Sequence, residues 1–181
     1  MDSHAELHYL TYLDSMDKTE LYNLMTQYGD DVRKYAYAMT RNREQSKDIA
    51  QEVFIKVYQN IGSFRGQSSF KTWLFTIVRN LAINELRSSY MRRIVLFEWV
   101  RSDRTAGSAE AVYLEEQSEK ELLDIVLGLS MKHREVLVLH LEHGMTKAEI
   151  GQLLNLSEGT VKSRLHRARK IVESKWKEMK R

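Results

Sequence analysis

The sequence predicts an all-α protein of two small helical domains joined by a linker, the C-terminal one a helix-turn-helix. Three observations lead there. The 181 residues include no Pro and only 8 Gly, so helix breakers are scarce. Apolar residues recur at helical spacing in several separate segments. Charge is also segregated: six basic side chains stand against one acidic over 65–93, one against six over 108–124, and nine against three over 157–181. Two basic bodies therefore flank an acidic stretch that would repel DNA. No βαβ alternation, Gly-rich phosphate loop or internal repeat competes with this reading.

Composition narrows the function classes. The net charge of +3 is too small to decide a partner by itself, so the distribution matters more. With no Cys, disulfides, thiolate metal sites and Cys nucleophiles are excluded. No apolar run approaches the roughly 20 residues of a membrane span. The start "MDSHAELHYL" lacks the basic segment and apolar core of a secretory signal. A protein without membrane insertion is expected.

Residues 1–20 read as an N-terminal extension without a motif, and residues 21–90 as the first domain. Within it, Ile49, Val53 and Val57 form the buried stripe of a helix, with Asp48, Gln51, Glu52 and Lys56 off it. Spacing alone makes Gln51 and Glu52 solvated surface. The loop "GSFRGQSSF" follows Ile61, and a second helix starts near Ser69. Phe70, Leu74, Ile77 and Leu81 are its expected core stripe. Its other side carries Thr72, Thr76, Arg79, Asn80, Ile83 and Arg87, with Phe64 and Trp73 close by. Duplex readers seldom need aromatics on the binding face. An unpaired strand offers free base faces, and stacking contributes about 1–3 kcal/mol per base. Phe64 and Trp73 equally suit a hydrophobic core.

Residues 91–117 read as a linker, because helical periodicity breaks between Ser88 and Ser118 and "RSDRTAGSAEA" is small and polar. The apolar piece "IVLFEWV" at 94–100 is costly to leave exposed, so it packs on a neighbouring helix or docks on a partner protein.

Residues 118–181 form the second domain. His140 and His143 lie at i, i+3 in "MKHREVLVLHLEHG", and His4 and His8 at i, i+4 near the start. Neither pair has a third ligand at matching spacing, so no metal site, and equally no cofactor, is expected. The first pair suits the core edge of a helix, the second solvent. No nucleophile–base set is readable, which argues against an enzyme. In "TKAEIGQLL", Thr146 and Glu149 make a capping box. Ile150 and Leu153 point inward. Asn155 suits a left-handed C-terminal position, Leu156 the angle between helices, and Ser157 the next cap. Val161, Leu165, Ala168 and Val172 are the apolar stripe of a second helix. Its outer face carries Thr160, Lys162 and Ser163 near the start, placed for bases, then His166 and Arg167 one turn on. Arg164, Arg169 and Lys170 suit phosphates.

Taken together, "DIAQEVFIKVYQNIGSFRG", "SSFKTWLFTIVRNLAINELR" and "MTKAEIGQLLNLSEGTVKSRLHRARK" resemble the extracytoplasmic-function (ECF) group of bacterial RNA polymerase sigma factors. The resemblance covers roughly residues 20–90 and 116–176. It implies a protein that binds RNA polymerase core, through the β′ clamp helices and the β flap, and directs it to promoter DNA. The family's clamp-binding residues fall on Asp48, Gln51, Glu52 and Phe54. Melted non-template −10 strand would meet Phe64, Trp73, Thr76, Arg79, Asn80, Asn84 and Arg87, with a flipped base at the loop Phe64 to Phe70. Duplex −35 contacts map to Thr160, Lys162, Ser163, Arg164, His166 and Arg167. An anti-sigma factor is the implied regulatory partner, and the implied location is cytoplasmic and nucleoid-associated. Many members carry Asp at the position of Asn84 and Pro near Ser130. A stand-alone helix-turn-helix regulator is the alternative. It accounts for 146–172 but leaves the amide-bearing, aromatic face at 64–87 without a purpose.

Overall fold

The computed structural model describes the backbone over residues 16–97 and 114–180, and side chains over 16–89 and 120–180. Among these residues there are seven α-helices and no strand. They are α1 (Lys18–Thr40), α2 (Arg43–Asn60), α3 (Phe70–Phe97), α4 (Leu114–Leu127), α5 (Met131–Leu141), α6 (Lys147–Leu154) and α7 (Glu158–Met179), with a 3₁₀ turn at Ile61–Ser63. His4, His8 and residues 98–100 of the apolar linker piece lie outside the described residues, as do the side chains of 94–97.

The helices of the first domain begin where side chains satisfy free N–H groups. Asp17 accepts from the Glu20 N–H at 2.8 Å while the Glu20 carboxylate accepts from the Asp17 N–H at 3.0 Å. Asn42 accepts from the Gln45 N–H at 3.1 Å, and Ser69 from the Thr72 N–H at 3.1 Å. Between α1 and α2, Arg41 turns the chain at φ 57°, the left-handed region. Helices α1, α2 and α3 then pack on one another. Leu24, Val32, Tyr35, Met39, Ile49, Val53 and Val57 are buried, the last three as their spacing predicts.

Two expectations for α3 are corrected. Its buried side chains are Phe70, Thr72, Leu74, Phe75, Val78 and Ala82, whereas Ile77 and Leu81 are only partly covered. The stripe is displaced because α3 meets α1 and α2 on one side and α6 on another, and Phe75 stacks on Tyr35 with ring centroids 5.2 Å apart. The helix also continues to Phe97, well into the stretch read as linker, and helix resumes at Leu114. No Gly or Pro occurs between 67 and 106 to stop it.

In the second domain α7 packs on α4, α5 and α6. The core takes Leu139, Met145, Ile150, Leu153, Val161, Leu165 and Ala168, with Val172 partly buried. The two domains are not separate bodies. Helix α5 packs on α1 and α6 packs on α3, so the apolar interior runs without a break from one domain into the other.

Candidate nucleic-acid interface

The helix-turn-helix is built by local chemistry. Thr146 accepts from the Glu149 N–H at 3.2 Å, and Glu149 accepts from the Thr146 N–H at 2.9 Å. Asn155 adopts φ 55°, ψ 53°, and the Leu156 N–H reaches back to the Gly151 carbonyl at 2.8 Å. That six-to-one bond is a Schellman closure. Ser157 then caps α7 through the Thr160 N–H at 3.2 Å. All of this lies where the sequence predicts.

On α7, Val161, Leu165 and Ala168 are buried, which turns Lys162, Ser163, His166 and Arg167 outward. Thr160 and Arg164 are half-buried, and the Thr160 hydroxyl lies 2.9 Å from that of Ser157. Sequence reasoning missed two neighbours. Lys132 and His133, at the start of α5, lie within the electrostatic reach of Arg164 and Arg167. Burial first, then Lys132, Arg167 and Arg164, hold the His133 imidazole below its ordinary value. No local signal could have found this cluster, because some thirty residues separate its two halves.

The residues assigned to the melted strand, on α3 and the loop before it, fall in different environments. Asn80, Asn84 and Arg87 are exposed along one stripe, with half-buried Trp73 at its head. Phe64 is 4% exposed and packs on Phe70 and Trp73, ring centroids 5.8 and 5.4 Å away. Phe64 thus supports the Trp73 ring from behind and presents little face of its own. Arg79 and Ile83 turn toward the second domain, where they line a cleft of about 510 Å³ with Arg87, Lys132, Glu135 and Arg164. The Thr76 hydroxyl donates to the Thr72 carbonyl at 2.8 Å.

The polar face of α2 presents Asp48, Gln51 and Glu52 to solvent. Phe54 is 5% exposed and belongs to the core beneath that face. Between α2 and α3 runs a groove of about 520 Å³ lined by Gln45, Asp48, Glu52, Leu81, Asn84 and Glu85 among others. Asn84 therefore borders the α2 carboxylates as well as the stripe of Asn80. Across the groove the Gln45 amide donates to Glu85 at 3.0 Å and to Ser89 at 3.2 Å.

The seam between domains also carries a polar cluster. Glu135, 4% exposed, accepts from Arg79 Nε at 2.6 Å and from the Tyr35 hydroxyl at 3.1 Å. Burial first, then Glu135, push the Tyr35 phenol well above its ordinary value. Beside them His143 sits edge-on to Phe75 and Tyr35, with centroids 4.8 and 5.9 Å away. Its ring nitrogens make no hydrogen bond, and Nδ1 lies 3.5 Å from Asp31. Lys71 donates to the His143 carbonyl at 2.9 Å. His140 lies at the core edge, Nδ1 within 2.9 Å of the Met145 carbonyl. Among the described residues no cluster of His, Asp or Glu could hold a metal ion, and no helix is long and apolar enough to cross a membrane.

On the outer surface, a groove of about 470 Å³ spans both domains. Its lining is mostly apolar, with Leu122, Leu123 and Leu141 exposed and the Lys34–Glu142 pair at its rim, 2.6 Å apart.

Comparison with known proteins gives two family matches: Sigma-70 region 2 over residues 24–92, and Sigma-70, region 4, over residues 119–172. The ECF RNA polymerase sigma factor SigW of Bacillus subtilis is 30% identical over 174 residues, which are 90% of this chain and 92% of that protein. The ECF RNA polymerase sigma-E factor of Haemophilus influenzae is 31% identical over 170 residues, 88% of each chain. Among solved structures, the sigma factor RpoE in complex with the anti-sigma factor NepR from Bartonella quintana matches with a TM-score of 0.71 at 22% identity, covering 86% of this chain and 96% of that one. CnrH in complex with the cytosolic domain of CnrY matches with a TM-score of 0.67 at 20% identity, covering 96% of both chains.

Proposed function

Because this chain belongs to the ECF group of RNA polymerase sigma factors, we propose that it directs polymerase core to promoters by reading two elements in two physical states. It does so as a binding protein, with no catalytic chemistry of its own. Duplex −35 DNA meets the exposed N-terminal part of α7, where Thr160, Lys162, Ser163, His166 and Arg167 reach base edges or nearby phosphates and Arg164 a phosphate. Melted non-template −10 strand meets α3 through Trp73, Asn80 and Arg87, with Asn84 at the edge. Arg79 joins once the seam has opened, and Thr76 adds a hydroxyl on the same helix.

The observation that carries this reading is the stripe on α3. A half-buried indole, two exposed carboxamides and an exposed guanidinium lie along one line. That combination offers a stacking surface, hydrogen bonds to a base edge and a phosphate partner together. Extracting a base from duplex costs a few kcal/mol, so the site must return that in stacking and hydrogen bonds.

Asp48, Gln51 and Glu52 form the polar face for the polymerase β′ clamp, with Phe54 shaping it from below. The second domain meets the β flap. The apolar groove across both domains suits a helical partner. RpoE was solved with the anti-sigma factor NepR, and we extend that partner class to this chain. The protein then works in the cytoplasm at the nucleoid.

The test is run-off transcription with purified core polymerase on a promoter library. New start sites that vanish with Asn80→Ala and with Lys162→Ala/Arg167→Ala support the reading. Tight duplex binding by the protein alone, without new start sites, would favour a stand-alone helix-turn-helix regulator.

A further inference from the structure

We infer that the second domain is a lock on the strand-facing helix, in which the Glu135 carboxylate holds the Arg79 guanidinium that a nucleic-acid phosphate would otherwise engage. The inference rests on the function proposed for α3.

The argument starts from partners. Glu135 is a buried carboxylate on α5, yet both groups that donate to it, Tyr35 on α1 and Arg79 on α3, come from the other domain. Its neighbour Arg134 is different. Arg134 also reaches across, to the Met39 carbonyl at 3.3 Å, but takes Leu127 and Leu129 carbonyls of its own domain at 2.7 and 2.9 Å. Arg134 would keep most of its bonds if the domains parted. Glu135 would exchange all of its bonds for water. It is therefore the group whose chemistry differs most between closed and open arrangements.

A guanidinium presents the same charge-assisted donors to a carboxylate as to a phosphate. Glu135 Oε1 on Nε at 2.6 Å pairs the Arg79 charge and fixes the guanidinium at the seam, where the side chain is only 27% exposed. The lock extends along α3 and its preceding loop. Gln152 on α6 donates to the Gln67 carbonyl at 3.0 Å, and the Ser69 hydroxyl to Glu149 at 3.3 Å. The loop that would cradle an extruded base is thus bonded to the first helix of the helix-turn-helix. Closure engages Arg79 and the loop before α3, while the Asn80–Asn84–Arg87 stripe and the −35-facing part of α7 stay exposed.

The chain has no Cys, so labels can be introduced cleanly at Gln59→Cys on α2 and Ser174→Cys on α7. Pulsed electron–electron resonance on the full chain then reads the interdomain distance. Fluorescence anisotropy reads its affinity for a mixed-sequence single strand of about 20 nucleotides. Glu135→Gln preserves shape but leaves Arg79 facing a neutral group. It should raise the long-distance population about tenfold and tighten strand binding by a similar factor. Tyr35→Phe, which removes one hydroxyl, should move both readouts in the same direction by less. Arg79→Ala should lengthen distances without tightening binding. Unchanged distances in both Glu135→Gln and Tyr35→Phe overturn the lock. Longer distances with unchanged strand affinity leave the lock standing as a domain tie and overturn instead the strand-binding role of α3.

Discussion

The carbonyl oxygen of Leu156 lies 2.7 Å from where a β-carbon on Gly151 would sit. The helix-turn-helix is closed so tightly that α6 must present bare backbone to the turn that follows it. Ala is the better helix former by up to about 1 kcal/mol, so propensity alone favours replacing this Gly. The steric term has the opposite sign and is larger. Gly151→Ala should lower stability by about 1–3 kcal/mol, read from the urea midpoint of unfolding. A rise in stability would mean the turn is looser than the geometry requires.

Arg134 closes the ends of two helices. Leu127 is the last residue of α4, and Met39 lies in the last turn of α1, where carbonyls lack intrahelical partners. One guanidinium supplies them and the Leu129 carbonyl together. Burial lowers it to about 10, which still leaves it charged at neutral pH. Arg134→Met removes the donors and keeps the carbonyls buried. The expected loss is roughly 3 kcal/mol or more in chemical denaturation, with Arg134→Lys intermediate because an ammonium lacks the planar fork.

His143 makes stability depend on pH. Burial is the main cause that lowers its imidazole to about 4, with Lys71 adding to it and Asp31 and Glu142 opposing. The unfolded chain takes up the proton near 6.5 and the folded one only near 4, so between those values the unfolded state binds more protons. Stability should therefore fall as pH drops from 6.5 toward 4, by about 2 kcal/mol between pH 7 and 4.5. Urea titrations of the wild type and His143→Phe at both pH values isolate this group. Equal pH dependence in the two proteins would exclude it as the cause.

On α7 the two kinds of DNA contact should separate by their salt response. Lys162→Ala should cost about 1–3 kcal/mol at one base position and relax preference there. Arg164→Ala should weaken binding to all sequences alike and reduce the slope of log affinity against log salt by about 1. Competition titrations of the polymerase complex on −35 variants, repeated at several salt concentrations, distinguish them.

Much of this molecule was legible from local pattern. The Thr146–Glu149 capping box, the left-handed Asn155, the Ser157 cap and the Val161, Leu165 and Ala168 stripe all involve groups a few residues apart, so sequence spacing fixes their geometry. The α3 stripe was read less well. Its face is chosen by three packing partners, and periodicity cannot say which of Phe75, Ile77, Val78 or Leu81 each partner covers. Sequence pattern does not fix the end of α3, because a weakly periodic segment without Gly or Pro, polar at 88–93 and apolar at 94–97, propagates an existing helix as readily as it makes a linker.

What the sequence determined by itself is the all-helical class, the two basic bodies and the helix-turn-helix with its outward row of Lys162, Ser163, His166 and Arg167. These follow from backbone capping and from the separation of apolar from polar side chains, which act over one or two turns. Only the tertiary structure decided that Arg79 faces Glu135 rather than solvent, that Phe54 and Phe64 lie beneath their surfaces, and that His143 is buried beside Tyr35 and Phe75. Those outcomes depend on which helices meet. A buried charge tolerates its place only beside its partner, and a pairing across 56 residues leaves no periodic trace in the chain.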